Sequence, residues 1–337
     1  MFRVLVAGDD KIWGSLDSLF NRRSLMISDV LTDAPAGIRL DPIFVSLRDN
    51  TNAWTVSARA QFRADWPRVA SFLDKDFATK MQRQLLAHYW ELYIAVASLE
   101  GGLSLVPCAA RQGRDAGPDL LTVDGMAIEA VLAMAGSGAD AVSEGEDGVA
   151  RSVPDVEICL RLSNAVNSKV DVHTRYLRDE VLQSDQPYVI AVGGSAIPSA
   201  RSEMIVPRMV RVLFGIGFPM AQIDPVTMQT GPLVHGAQER IHKRLGAPVA
   251  TDLFCRADAT PGVAAVLYAA SDPWNRPVRA GEDIVAIHNP CPTAPIALGA
   301  LPTAFKYHRR DGTVERVVGW LSKQHGAGRI YAEQLTA

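Results

Sequence analysis

The longest helical pattern in the chain runs from Lys75 to Glu100. Apolar side chains cover most sides of this segment, so the pattern predicts one long and largely buried helix. Gly101 and Gly102 follow it and are typical stop signals for a helix. Three short strand-like segments come next, LSLVPC, PDLLTV and MAIEAVLAM, and then a loop rich in glycine and acid.

A second helix is predicted from its own start signal. Ser152 and Asp155 have the spacing of a capping box, and the helical pattern continues to about Glu180. The apolar run PYVIAV that follows fits a strand covered on both faces. The order of helix, three strands, helix and strand implies a mixed sheet with helices on its faces.

The two ends of the chain carry weaker patterns. Residues 1–75 combine the strand-like runs FRVLVA and WTVSARAQF with turn-rich connections, and no motif in them indicates a role. Residues 201–337 combine a helix-like segment with the strand-like runs GVAAVLYAA and DIVAIHNP. We therefore expect a core over residues 76–200, with the C-terminal residues forming an α/β extension that packs on it.

Composition and charge limit the classes of function. The 337 residues are 48% hydrophobic, and 34 Lys and Arg against 37 Asp and Glu leave a net charge of -3. This balance provides no general positive field for nucleic acid, so any polyanion site has to be local. No apolar run of about 18 residues and no signal peptide is visible, so we expect a cytoplasmic protein without a membrane partner. The four cysteines and seven histidines are scattered and show no zinc or disulfide pattern.

Asp119 and Glu129 are acids within apolar strand-like segments, and the turn between them decides whether they meet. The Asp124-Gly125 pair is a hairpin signal. With a two-residue loop, the two acids lie on different faces of the hairpin. With a three-residue loop that starts at Val123, Asp119 falls opposite Glu129 and both share one face. Opposed residues have Cβ atoms about 4.5–5.5 Å apart, close enough for two carboxylates to hold one ion.

Two further charged side chains lie on helical faces where charge needs an explanation. Lys169 is near the centre of the apolar stripe of the second helix, so it either reaches an edge or meets negative charge. Glu91 lies on a thin strip of small or polar residues on the first helix, for which a solvent-facing edge is the alternative explanation. The structural alternative for the two hairpin acids is that one caps a turn and the other pairs with Arg111 or Arg114.

The order and spacing of these acids resemble the PD-(D/E)xK nuclease superfamily. Glu91, Asp119 and Glu129 match the acid of the leading helix, the Pro-Asp aspartate and the acid of the next strand. The family usually has a lysine two residues after the last acid, where this chain has Val131. Some members take the lysine from the following helix instead, and Lys169 suits that variant. Over roughly residues 80–200, the chain is similar to bacterial nuclease-like proteins of this kind.

The resemblance implies a restriction-endonuclease-like α/β (α+β) fold, a mixed β-sheet flanked by helices, with additional N-terminal and C-terminal elements. It implies a Mg²⁺-dependent endonuclease, with Mn²⁺ as an alternative ion, that hydrolyses phosphodiester bonds of nucleic acid. DNA is the expected substrate. Asp119, Glu129 and the main-chain carbonyl of Ala130 would be the metal ligands. Lys169 would act on the attacking water or the phosphate, and Glu91 would bind a second ion or a water. The side chains expected to contact the substrate are Arg111, Arg114 and Arg161.

Two other classes of protein stay open. A catalytically inactive nuclease-fold protein that binds nucleic acid or acts as a scaffold is favoured by Val131 in place of the lysine. A homodimer or a further protein partner is compatible with either an active or an inactive chain. A nucleotide-using enzyme is the third class, but the chain has no glycine-rich dinucleotide fingerprint and no P-loop motif.

Overall fold

The computed structural model describes residues 30–31, 37, 39–111, 117–146, 148–203, 205–256, 258–301, 303, 305–318 and 333–335. The predicted strand FRVLVA lies outside these residues, and so does Arg114. The described helices are α1 (Pro42–Asp49), α2 (Ala53–Val69), α3 (Phe77–Arg83), α4 (Leu85–Glu100), α5 (Asp155–Arg178) and α6 (Arg208–Phe214). The described strands are β1 (Leu120–Leu121), β2 (Ala127–Met134), β3 (Tyr188–Ala196), β4 (Ile216–Ile223), β5 (Thr230–Ala237), β6 (Arg240–His242), β7 (Pro248–Ala250), β8 (Val263–Ala269), β9 (Val285–His288), β10 (Phe305–Arg310), β11 (Thr313–Val318) and β12 (Glu333–Leu335).

One mixed sheet organises the described part of the chain. Its eight strands lie in the order β1, β2, β3, β8, β9, β10, β11 and β12. β2, β3 and β8 are parallel neighbours, and β1 joins the edge of β2 as an antiparallel hairpin partner. The predicted strands PYVIAV, GVAAVLYAA and DIVAIHNP are confirmed as β3, β8 and β9. The C-terminal residues therefore extend the sheet that begins with β1 and β2.

Helices cover both faces of this sheet. Alternate residues of a strand point to opposite faces, so each strand contributes to both cores. Ile128 and Ala130 of β2 belong to a core with α1 to α4. Ala127 and Ala133 of the same strand belong to a second core with α5 and α6. The predicted class, a mixed α/β sheet flanked by helices, is confirmed.

The helix predicted from Lys75 to Glu100 is divided in two. Gln84, with φ -149° and ψ 74°, lies between α3 and α4 in a non-helical conformation. The carboxylate of Asp41 accepts the N–H of Leu85 at 2.8 Å and also that of Ile43 at 2.9 Å. One aspartate thus caps two helices that are far apart in sequence, a contact that the local pattern does not contain. The predicted stop at Gly101 is confirmed as the C-cap of α4.

The strand predicted for WTVSARAQF is wrong, because these residues form the first half of α2. The side chain of Asn52 caps this helix by accepting the N–H of Thr55 at 2.8 Å. The buried side chains of α2 recur every three or four residues, which is the helical period. They are Thr55, Ala58, Phe62, Asp65 and Val69.

α5 begins at Asp155, two residues after the start that a cap at Ser152 predicts, and the predicted capping box is absent. Its N-cap is Pro154, which makes no side-chain cap bond. Asp155 instead accepts Arg208 Nε at 2.7 Å and Arg211 Nη2 at 2.9 Å. Because these arginine residues are only 1% and 3% exposed, the aspartate is more strongly required for charge balance than for capping. A second carboxylate, Glu203, also accepts Arg208.

α4 is held against the sheet by Trp90, next to Glu91. The indole N–H of Trp90 donates to the carbonyl of Ala191 in β3 at 2.9 Å. A Cβ atom at Gly193 would lie 2.9 Å from the indole ring, so the ring can approach β3 only because this residue is glycine. The contact places α4 close to the strands that carry the acids.

Within the part of the chain that the structure describes, no helix has both the length and the apolar character that crossing a membrane requires.

Replacing Asp155 with alanine is expected to lower the free energy of unfolding by about 3–5 kcal/mol, because it leaves two buried guanidinium groups without their main partner. Asp171→Ala, at an exposed position of the same helix, is the control and should change it by less than about 0.5 kcal/mol. Urea denaturation measures both variants. Equal, small effects would show that the two arginines do not depend on this carboxylate.

Candidate functional site

The turn between Asp119 and Glu129 is the three-residue loop of the two alternatives. Leu120 pairs with Ile128, and the N–H of Thr122 donates to the carbonyl of Met126 at 2.9 Å. Gly125 has φ +90°, a left-handed conformation that glycine adopts without strain. This register, continued by one residue, sets Asp119 opposite Glu129, which is the second of the two alternatives.

Asp119 lies just outside β1 and binds the edge of β2 with its side chain. Its carboxylate accepts the N–H of Ala130 at 2.7 Å, where a further residue of β1 would otherwise pair. In an extended strand, the N–H and C=O of one residue point toward the same neighbour. The carbonyl of Ala130, the predicted third metal ligand, therefore points toward the edge where Asp119 lies.

Glu129 is 5% exposed and both of its carboxylate oxygens have partners. Lys169 Nζ lies 2.7 Å from Oε1, and the phenol of Tyr176 lies 3.2 Å from Oε2. The same phenol lies 3.0 Å from the carbonyl of Gly117. Tyr176 therefore links α5 both to β2 and to the segment that leads into Asp119.

The position of Lys169 on α5 explains the unusual charge on an apolar stripe. Its side chain is 19% exposed, so it extends beneath the helix to a carboxylate instead of into solvent. Its own carbonyl accepts the phenol of Tyr188 at 3.1 Å, which fixes this turn of α5 on β3. The expected contact between Lys169 and an acid beneath the helix is present, and its catalytic role stays a prediction.

Negative charge is crowded around Asp119. Burial raises the pKa of Asp119 well above its usual range, and the charges of Glu129 and Glu91 raise it further. The ammonium of Lys169 and the N–H of Ala130 act in the opposite direction. Three carboxylates and one ammonium thus interact in a cluster that favours a proton or a cation at Asp119.

Glu91 belongs to this cluster from the opposite face of the sheet. On α4, its Oε1 lies 3.1 Å from His88 Nδ1. Ala95 and Ser98, further along the same strip of α4, are buried. The strip is therefore not a solvent-facing edge along its whole length, which was the alternative explanation for Glu91.

The two described arginines of the predicted substrate contacts have different surroundings. Arg111 donates to the carbonyls of Pro118 and Asp119 at 3.0 Å and to that of Phe72 at 2.8 Å, so it holds the chain at Asp119 in place. Arg161 lies against Gly136, and its buried Nε has no hydrogen-bond partner among the described residues. Whether either arginine contacts a phosphate stays a prediction.

The donor set at the hairpin fits a hard cation only in part. Among the described residues, no group of three or more His, Cys, Asp and Glu side chains is placed to hold a metal ion. Asp119 and Glu129 supply two carboxylates, and Ala130 adds a main-chain carbonyl, which are the oxygen ligands that Mg²⁺ accepts. The crowding that raises the pKa of Asp119 is the kind of strain that a bound cation relieves.

Tyr176 is the site residue that the sequence did not identify. Its position in the apolar stripe of α5 explained it as a core residue, and its ring is indeed buried. Its spacing of seven residues from Lys169 was the available signal, because residues two turns apart share a helix face.

Comparison with protein-family models, curated proteins and solved structures finds no match for this chain. The geometry of the site is therefore the basis for any functional proposal.

Asp119→Asn is expected to raise the melting temperature at pH 7 by roughly 2 °C in EDTA. Because the pKa of Asp119 is raised in the folded state, ionisation of this group costs stability as the pH rises above its unfolded value of about 3.9. Asparagine still accepts the Ala130 N–H but carries no charge, so the gain should vanish at pH 4. Thermal melts at both pH values test this, with Asp171→Asn as the exposed control. A variant that is less stable at pH 7 would contradict the crowding.

Tyr176→Phe is expected to lower the free energy of unfolding by about 1.5–3 kcal/mol, because it removes a hydrogen bond to a buried charged group. Tyr188→Phe removes a bond to a neutral carbonyl and should cost about 1 kcal/mol. Urea denaturation of the two variants gives the comparison. A smaller loss for Tyr176→Phe than for Tyr188→Phe would mean that the Tyr176 phenol does not hold Glu129.

Proposed function

We propose that this chain is a metal-dependent hydrolase that cleaves phosphodiester bonds of nucleic acid through Asp119, Glu129 and Lys169. DNA is the proposed substrate. The observation that carries the proposal is the 2.7 Å contact of Lys169 Nζ with Glu129, directly across the hairpin from Asp119. A lysine supplied by the helix after the second acid is the arrangement of the variant PD-(D/E)xK nucleases that this chain resembles.

The order of elements around the site also supports the proposal. α4 is followed by Leu105, which forms an antiparallel bridge to Thr122, and then by β1, β2, α5 and β3. With the bridge at Leu105 in place of a first strand, this order is close to the helix, three strands, helix and strand that the resemblance implies. Glu91, Glu129 and Lys169 lie on these elements, and Asp119 lies directly before β1.

The residues at the hairpin would hold Mg²⁺ or Mn²⁺ through Asp119, Glu129 and the carbonyl of Ala130. When bound, the ion would neutralise the crowded carboxylates and polarise the phosphodiester. Lys169 would orient the attacking water or donate to a phosphate oxygen as negative charge develops there. Glu91 would bind a second ion or a water, and Tyr176 would hold Glu129 and the approach to Asp119 in place.

A catalytically inactive protein of the same fold is the second candidate. One observation favours it, since Lys169 and Tyr176 occupy both oxygens of Glu129, as in a structural ion pair. Val131 at the usual lysine position points the same way. Such a protein would bind nucleic acid or a partner without cleaving phosphodiester bonds.

Nicking of supercoiled plasmid in Mg²⁺, in Mn²⁺ and in EDTA tests the proposal. The wild-type protein should nick in either metal and not in EDTA, and Asp119→Asn, Glu129→Gln and Lys169→Met should each lose at least about 100-fold of the rate. Asp171→Asn is the control, because it removes a carboxylate from an exposed position of α5.

The outcomes separate the two candidates. Rates that are unchanged in the three site variants would remove these residues from the chemistry. Plasmid binding without nicking in any metal would favour the inactive protein.

A further inference from the structure

An open cleft of about 590 Å³ lies between the start of α4 and the ends of β2 and β3. One wall is formed by Leu86 and Ala87, and the other by Leu132, Met134 and Ser195. Its volume is within the range of pockets that hold small molecules or parts of larger ligands. Clefts at the carboxyl ends of parallel strands are also common ligand sites in α/β proteins.

The cleft is close to the carboxylate cluster. Ala87 precedes Glu91 by four residues, which is ~6 Å along a helix. Leu132 follows Ala130 by two residues on the same face of β2, which is roughly 7 Å along a strand. The N–H of Ala130 binds the Asp119 carboxylate, so a ligand held at Asp119 lies at the edge of β2, two residues before Leu132 of the cleft wall.

The chemistry of the cleft does not suit a phosphate. Its walls are mainly apolar, and none of its described lining residues is a lysine or an arginine. The two charged residues in its lining are Asp41 and Glu144. The Asp41 carboxylate is occupied by the N–H groups that begin α1 and α4, and Glu144 is exposed. A neutral planar ring would bury its faces here and could donate an N–H group to Glu144, whereas a phosphate would find no cationic side chain among the described lining residues.

Two cations near the site, Lys169 and Arg161, belong to α5, which packs on the other face of β2. α4 packs on one face of the sheet and α5 on the other. Lys169 of α5 pairs with Glu129, and Arg161 of α5 reaches Gly136, just beyond the end of β2, with its Nε unpartnered. Positive charge is thus available on the α5 side, and an apolar cleft is available on the α4 side.

We propose that the cleft binds one unpaired nucleobase of the strand whose phosphodiester the metal ion would hold beside Asp119 and Glu129. This inference rests on the proposed hydrolase function and names its substrate class: single-stranded nucleic acid, or a duplex with an unpaired nucleotide at the reacting phosphate. A base inside an intact duplex is stacked and paired, so it has to leave the helix before it can enter the cleft. The phosphate and the base would occupy opposite faces of β2.

Binding of an oligonucleotide with a single 2-aminopurine, measured by its fluorescence in Mg²⁺ with all proteins carrying Lys169→Met to prevent cleavage, tests the inference. The single strand should bind at least about tenfold more tightly than the fully paired duplex of the same sequence. Ala87→Phe fills the cleft from α4 and should weaken single-strand binding about tenfold. Met134→Trp fills it from the exposed end of β2 and should do the same. Ala60→Phe, at an exposed position of α2, is the matched control, and thermal melts show that each variant is folded.

Cleavage of the same oligonucleotide in Mg²⁺ separates this inference from the proposed function. Binding that both filling variants weaken, without cleavage by the wild type, would uphold the cleft and overturn the hydrolase. Cleavage that both filling variants leave unchanged would uphold the hydrolase and overturn the cleft. Equal affinity for single strand and duplex would also overturn the cleft, and the absence of both binding and cleavage would overturn both proposals.

Discussion

The register of the β1–β2 hairpin is the constraint on which the candidate site depends. A strand has a side-chain period of two, so a shift of one residue would turn Glu129 to the face of α4 and away from Lys169. The left-handed Gly125 closes a three-residue turn, and this turn sets Asp119 opposite Glu129. The short length of β1 then matters, because the Asp119 carboxylate takes the place of a main-chain partner at Ala130.

The charges close together at this hairpin lower the stability of the folded protein. Burial and two neighbouring carboxylates raise the pKa of Asp119, while a single ammonium compensates Glu129. Structural ion pairs usually balance their charge locally, as Asp155 and Glu203 do with Arg208 and Arg211. An unbalanced cluster of this kind is more typical of a site that binds a cation or transfers protons.

The edge of β2 gives the site two different surroundings. α4 contributes Glu91 and the wall of an apolar cleft, and α5 contributes Lys169, Tyr176 and Arg161. The N-terminal helices take part in this arrangement, because Asp41 caps α4 where the cleft begins. The N-terminal helices therefore help to shape the site, and they also share a core with the sheet.

Much of the fold and the centre of the site could be predicted from short-range patterns. Apolar runs predicted β3, β8 and β9, and the Asp124-Gly125 turn with its two flanking acids limited the hairpin to two registers. The stripe of α5 showed that Lys169 needed a negative partner. These features depend on neighbours within about ten residues, where helix and strand periods relate sequence directly to position.

Contacts between distant segments decided the rest. Asp41 caps α4 at Leu85, where a continuous helix was expected. Asp155 binds two buried arginines instead of forming the predicted cap, and Tyr176 is a partner of Glu129. The choice between the two hairpin registers also needed the folded sheet. No local pattern contains these outcomes, because each depends on which buried charge or unpaired N–H group the fold brings within hydrogen-bond distance.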